Sequence, residues 1–140
     1  VQIGPLTSPS GVFCTPPPWS MLVSVDLASG DIKWEVPLGS TEEFADRGAP
    51  VVDGIIAMGG PSVTAGGLVF IGATTDEKFR AFDSNTGELL WEVKVPSAAM
   101  SQPMSYMIDG RQYVVIIAAG HQFFYPQKIT GDIVAFALPE

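Results

Sequence analysis

Short apolar or alternating runs recur along the whole chain between clusters of Gly, Pro, Asn and Asp, and no stretch sustains the i, i+3, i+4 spacing of an amphipathic helix. This pattern predicts strands over residues 21–26, 32–36, 62–64, 68–73, 79–83, 89–95, 104–108, 113–119 and 132–137. The longest apolar run, 113–119, has seven residues, against the roughly 20 that a membrane-spanning helix needs. The expected class is all-β.

Comparing the chain with itself sharpens that expectation. Residues 25–36 align without a gap on residues 82–93, an offset of 57. Asp26 matches Asp83, Gly30 matches Gly87, Trp34 matches Trp91, Glu35 matches Glu92 and Val36 matches Val93. Each part has a physical task. A short carboxylate at a strand end accepts hydrogen bonds from the N–H groups of the turn. The glycine supplies a positive φ in a tight hairpin. The indole then packs on a neighbouring sheet and donates its N–H. Two unrelated hairpins with core tryptophans are the plainer alternative, and identities at fixed spacing weigh against it. A truncated third copy is expected at Ile133-Val134-Ala135-Phe136-Ala137, mirroring Arg80-Ala81-Phe82-Asp83, and Gly66–Gly72 resembles 109–116 as the strand before it.

Four strands per 57 residues is the arithmetic of a propeller blade. The strands supply the outer half of one blade up to Val36, a whole blade over 62–95, and the inner part of a third. The expected fold is therefore a partial β-propeller, about two to three four-stranded antiparallel blades. Blades bury themselves only against neighbours, so open faces and edges are expected, with a homodimer through exposed blade edges as one outcome.

Composition adds exclusions. The 140 residues suffice for one domain, 1–140, and the 15 Gly and 12 Pro suit many turns. A net charge of −8 repels phosphate backbones and anionic lipid heads, which argues against nucleic-acid or membrane-surface binding. Cys14 is the single cysteine, so no internal disulfide forms, and with one His in the chain a zinc site is implausible. Cys14 is expected to be a small buried hydrophobe. The chain opens Val1-Gln2-Ile3 without a Met or an apolar leader, which suggests a processed chain or, preferably, a piece of a longer one.

Ala81-x-Asp83-x-x-Thr86-Gly87-x-x-x-Trp91 resembles the tryptophan-docking motif of the pyrroloquinoline quinone (PQQ) dehydrogenases. Cys14-Thr15-Pro16-Pro17-Pro18-Trp19, the stretch from Gly59 to Ile71, Pro103-Met104-Ser105-Tyr106, Gln112-Tyr113-Val114-Val115, Gly120-His121 and the stretch from Gly131 to Pro139 resemble, in order, the closing part of the membrane-bound glucose and quinate dehydrogenase group. The resemblance implies an eight-bladed quinoprotein propeller. It implies PQQ with Ca²⁺ or Mg²⁺ near the axis, oxidation of a sugar, polyol or cyclic alcohol, and electrons passed to ubiquinone at the periplasmic face of the inner membrane. By the same resemblance the general base, the metal ligands and most cofactor contacts precede Val1, so the remainder of the propeller is the first partner. The fragment alone is expected to bind no cofactor and to be inactive.

His121, the sole histidine, lies in a Gly-containing loop. Read alone it is either a solvent-facing loop histidine or a donor to a ligand oxygen; the resemblance places it beside PQQ. The sequence departs from the group after His121, where Gln122-Phe123-Phe124-Tyr125-Pro126 stands in place of small residues. These aromatics either reshape a substrate pocket or form an apolar flap. Trp19 lines a funnel entrance or, more simply, caps the repeat. Glu42, Glu43 and Asp46 are read as a solvated acidic loop rather than a metal site, because convergent oxygens are required. With no adjacent cysteine, Cys14 cannot form a vicinal disulfide. Rival readings are a non-enzymatic PQQ-like repeat scaffold, which would share the Asp-Gly-Trp repeats but not the Gly120-His121 and Gly131-Asp132 signatures, and a plain all-β interaction module.

Overall fold

In the computed structural model, the described residues are 6–121 and 128–138. Nine strands follow in chain order: β1 Met21–Val25, β2 Ile32–Pro37, β3 Ser62–Val63, β4 Leu68–Ile71, β5 Lys78–Asp83, β6 Leu89–Lys94, β7 Met104–Ile108, β8 Arg111–Ala118 and β9 Asp132–Ala137. They form three antiparallel meanders, β1-β2, β3-β4-β5-β6 and β7-β8-β9. This is the expected sequence of half a blade, a whole blade and the inner strands of a third. Strand β9 pairs with β8 as β5 pairs with β4, so the truncated third copy occupies the third-strand position. Predicted strand 68–73 stops early, because Ala73 turns to φ 62 and gives its N–H to Ala99 O at 2.7 Å.

The two copies of the repeat fold alike. Asp26 Oδ1 accepts from the N–H groups of Ala28 and Ser29 at 2.8 and 3.2 Å, and Asp83 Oδ1 from those of Asn85 and Thr86 at 2.8 and 2.9 Å. These backbone donors hold both carboxyls below the usual aspartate range. Gly30 at φ 81 and Gly87 at φ 75 then close each hairpin onto its aspartate carbonyl.

The core lies between sheets, not within one. Leu22, Leu38, Val69, Ile71, Ala73 and Phe82 fill the space between the first and second sheets. Phe79, Val95, Ala99, Val114, Ile116 and Ala118 fill that between the second and third. The period-2 alternation of β4 serves both, with Val69 and Ile71 in the first cluster and Phe70 against the second. Outward faces stay apolar: Val23, Val25 and Ile32 on one side, Met104, Ile117 and Ile133 on the other, are exposed.

Trp34 leans from β2 onto the next sheet, its indole N–H reaching Ser84 O at 3.0 Å. Its ring covers Gly87 so closely that a Cβ there would lie 2.7 Å from a ring carbon. Trp91 leans onto the third sheet, edge-on to Phe136 at 5.1 Å. The turn that would follow β9 lies beyond the described residues.

Two expectations need correction. Cys14 is exposed, because the irregular segment before β1 packs through Val12 and Phe13 instead. The acidic loop is not plain coil: Glu42–Arg47 forms a 3-10 turn, closed by Gly48 at φ 80 and pinned by buried Phe44.

Candidate functional site

The strand order sorts the connections between two ends of the sheets. Hairpins 26–31, 64–67, 84–88 and 109–110 lie at one end; connections 38–61, 72–77 and 95–103, with the β8–β9 loop, lie at the other. His121 is at this second end, three residues beyond the last residue of β8 and partly buried. Of the aromatic segment after it, residues 122–127 lie outside those described.

The loop carrying His121 has a defined neck. Gly120 adopts φ 74 and donates its N–H to Ala98 O at 3.0 Å. Across the neck, Thr130 N–H donates to Ala119 O at 3.1 Å and Thr130 Oγ1 to Ala118 O at 2.5 Å. The fully buried Ser97 donates its hydroxyl to Lys128 O, and Lys128 Nζ reaches Pro96 O at 3.3 Å. The neighbouring β4–β5 loop is tied to the same connector through Ala73 N–H and Ala99 O.

That β4–β5 loop is the most polar buried part of the molecule. Arg80, 3% exposed, is paired with Asp76 through both terminal guanidinium nitrogens and, through Nε, with Glu92 Oε2 at 2.8 Å. Thr74 Oγ1 donates to Asp76 Oδ1 at 2.6 Å, and Ser40 N–H reaches Asp76 Oδ2 at 3.1 Å. Lys78 bridges Glu92 at 2.9 Å and Glu42 at 3.3 Å. A cavity of about 390 Å³ opens between β2 and β5–β6, lined by Ser40, Asp53, Lys78, Arg80, Phe82 and Glu92 among others. Its cations are already matched by carboxylates, so it offers structural cement and no unspent charge for a ligand.

Glu43 is exposed as a residue, yet partial burial of its carboxyl lifts its pKa to about 7; Asp76 and Glu77 push the same way, while Thr75 and Arg47 oppose. The Thr75 hydroxyl is buried and has no full hydrogen-bond partner. Among the described residues, Glu42, Glu43 and Asp46 do not converge on a metal position. Trp19 is occupied locally: its N–H donates to Thr15 O at 2.9 Å and its ring meets Phe13 edge-on at 5.6 Å.

Sequence reasoning singled out His121 and overlooked the neck beneath it, together with the Thr74–Asp76–Arg80 network. An arginine inside the apolar strand Phe79-Arg80-Ala81-Phe82 was the available signal, since Arg is almost never buried without a partner.

Half a blade, a whole blade and most of a third, stacked face to face, define a partial β-propeller. The PQQ family described as glucose/ethanol/alcohol dehydrogenase, beta-propeller domain, matches residues 1–114. Quinoprotein glucose dehydrogenase A of Acinetobacter calcoaceticus is 38% identical over 143 residues, covering 100% of this chain and 18% of that protein. Quinate/shikimate dehydrogenase (quinone) of Acinetobacter baylyi is 39% identical, covering 91% of this chain and 16% of its own length. Quinohemoprotein alcohol dehydrogenase from Comamonas testosteroni superposes with a TM-score of 0.62 at 25% identity, over 84% of this chain and 16% of that one. The chain belongs to the PQQ-dependent dehydrogenase β-propeller family, and it spans under a fifth of the length of these relatives.

The residues present suit one wall of a PQQ site and no more. A planar, polyanionic quinone needs donors held at fixed positions. His121, on a neck clamped by Ser97, Gly120 and Thr130, has the N–H chemistry such a site would use; the described residues of this end contribute no cluster of free cations around it.

Proposed function

We propose that this chain is the closing segment of a PQQ-dependent dehydrogenase that oxidises a sugar, polyol or cyclic alcohol and delivers electrons to ubiquinone, from the periplasmic face of the inner membrane. The observation that carries the reading is one chain-long likeness, 38% identity across 100% of the chain to a quinoprotein glucose dehydrogenase, in a chain whose repeat folds twice as the same hairpin. When bound, PQQ with Ca²⁺ or Mg²⁺ supplies an electrophilic quinone that accepts two electrons from the alcohol carbon. The base and the metal ligands come from the rest of the propeller.

Within that assembly His121 donates an N–H to an oxygen of the cofactor and helps fix its orientation. The contact of Trp34 with Gly87 and Ser84 is the docking by which one blade registers on the next. The outward apolar faces are covered by the rest of the same propeller; in the isolated chain they drive self-association.

The test uses the whole protein and the 140-residue chain side by side, each with PQQ and either cation, assayed with glucose, glycerol and quinate and a short-chain ubiquinone. The whole protein is expected to oxidise at least one, the short chain none. Turnover by the 140-residue chain overturns the reading that it is a segment; an inert whole protein, loaded with PQQ, overturns the enzymatic reading.

A further inference from the structure

The geometry points to Ser97 as a positioning residue that sets the place of His121 from the connector between two blades. The proposal rests on the reading that His121 touches the cofactor. Ser97 belongs to the connector between β6 and β7, so it is contributed by the link between sheets rather than by the loop it holds. Consecutive connector residues grip two loops at the same end of the molecule. Pro96 O takes Lys128 Nζ, Ser97 Oγ gives its proton to Lys128 O, Ala98 O takes Gly120 N–H, and Ala99 O takes Ala73 N–H.

Ser97 is the one member of this set that acts through its side chain and is fully buried. Its hydroxyl and Lys128 O close so tightly over Gly120 that a Cβ on that glycine would lie 2.8 Å from Ser97 Oγ and 2.4 Å from Lys128 O. Gly120 is therefore required twice, by its φ of 74 and by the lack of space, and both requirements fall on the residue immediately before His121. A carbonyl tethered on the far strand of the neck and a glycine pressed beneath it leave the backbone at 120 a single course. The imidazole that follows inherits that direction. A hydrogen bond to a cofactor oxygen tolerates little error in placement, so a tether of this kind converts into affinity.

The experiment is a double-mutant cycle in the whole protein, reading the Kd of PQQ on titration into apoprotein with Ca²⁺ present. We expect His121→Ala to weaken PQQ about tenfold and Ser97→Ala about fivefold, amounts typical of a lost or misaligned hydrogen bond. In the His121→Ala background, Ser97→Ala should add nothing, because the group it positions is gone. A fivefold loss that persists in that background overturns the proposal and makes Ser97 merely structural; a silent Ser97→Ala overturns it as well. Should His121→Ala leave the Kd unchanged, the cofactor contact itself falls, a failure distinct from either. If Ser97→Ala does not fold, Thr130→Val removes the other hydroxyl across the neck at nearly constant volume, and the same cycle decides with the same outcomes.

Discussion

The seam between the first two sheets and the seam between the last two join the same kind of surface by different chemistry. At the first, an indole N–H meets Ser84 O at 3.0 Å, the ring lies on Gly87, and Ser40 N–H reaches the buried Asp76–Arg80 pair. At the second, Phe79 packs on Phe70, Trp91 and Phe136 at 6.1, 5.9 and 5.6 Å, and Trp91 on Phe136 at 5.1 Å. The two tryptophans sit at equivalent places in equivalent hairpins. What differs is the surface each meets, a glycine-bearing turn in one case and a phenylalanine in the other. The repeat encodes the hairpin and the direction of the indole; the following sheet decides whether the seam is directional or simply apolar.

The largest effect separating the seams should come from Phe79, which is fully buried and touches each aromatic of the second seam. Phe79→Ala should cost about 4 kcal/mol in chemical denaturation. A loss below about 1 kcal/mol would mean that the second seam is loosely packed. Next comes the glycine pair. Gly87→Ala must place a Cβ 2.7 Å from Trp34 and adopt a positive φ, a combined cost of about 3 kcal/mol. Gly30 has the same φ sign but open space above it in this chain, so Gly30→Ala should cost only about 1 kcal/mol. Equal losses would show that Trp34 does not hold this position in solution. Smaller again, Trp34→Phe gives up the hydrogen bond to Ser84 and should cost about 1 kcal/mol. Trp91, whose N–H has no partner among the described residues, should tolerate Phe with a lesser loss measured in the same way.

How much of this could be read from residues alone follows the same division. Asp26, Gly30 and Trp34, and their counterparts 57 positions on, carry local instructions, so the hairpins, the strand order and the blade count were legible. His121 was legible as a candidate through its loop and its resemblance. The neck beneath it was not, because Ser97 and Lys128 are 31 residues apart and meet through a backbone carbonyl that has no sequence signature. The exposure of Cys14 was missed for a related reason: composition predicts burial of thiols on average, but here Phe13 and Val12 occupy the inward positions. The 3-10 turn at Glu42–Arg47 escaped because six residues show too little periodicity, its one buried anchor being Phe44.

The polar seam should also differ from the apolar one in its response to pH, through Glu43. This carboxyl packs beside the β4–β5 loop with a pKa lifted from 4.5 to about 7, chiefly by desolvation; a hydrogen bond from Thr75 opposes this more than any other group, while Asp76 and Glu77 add to the rise and Arg47 opposes it least. The folded chain therefore holds this proton more tightly than the unfolded chain does. Between about 4.5 and 7 the folded state binds more protons, so this group's contribution is fully present below the lower value and is lost as pH rises through the upper one. Asp26 and Asp83 act in the opposite sense in a separate window: their lowered pKa values contribute stability above 3.8 that is lost on acidification. Glu43→Gln keeps the shape and removes the charge, so the difference between its unfolding curves and those of the parent chain isolates the one group. That difference should be near zero at pH 4 and grow in favour of the glutamine form up to about pH 7.5, then level off. A constant difference across the range would place the Glu43 carboxyl in water and remove the pH-dependent element from the first seam. A difference growing toward acid would mean that the carboxylate, and not the acid, is the form this loop prefers.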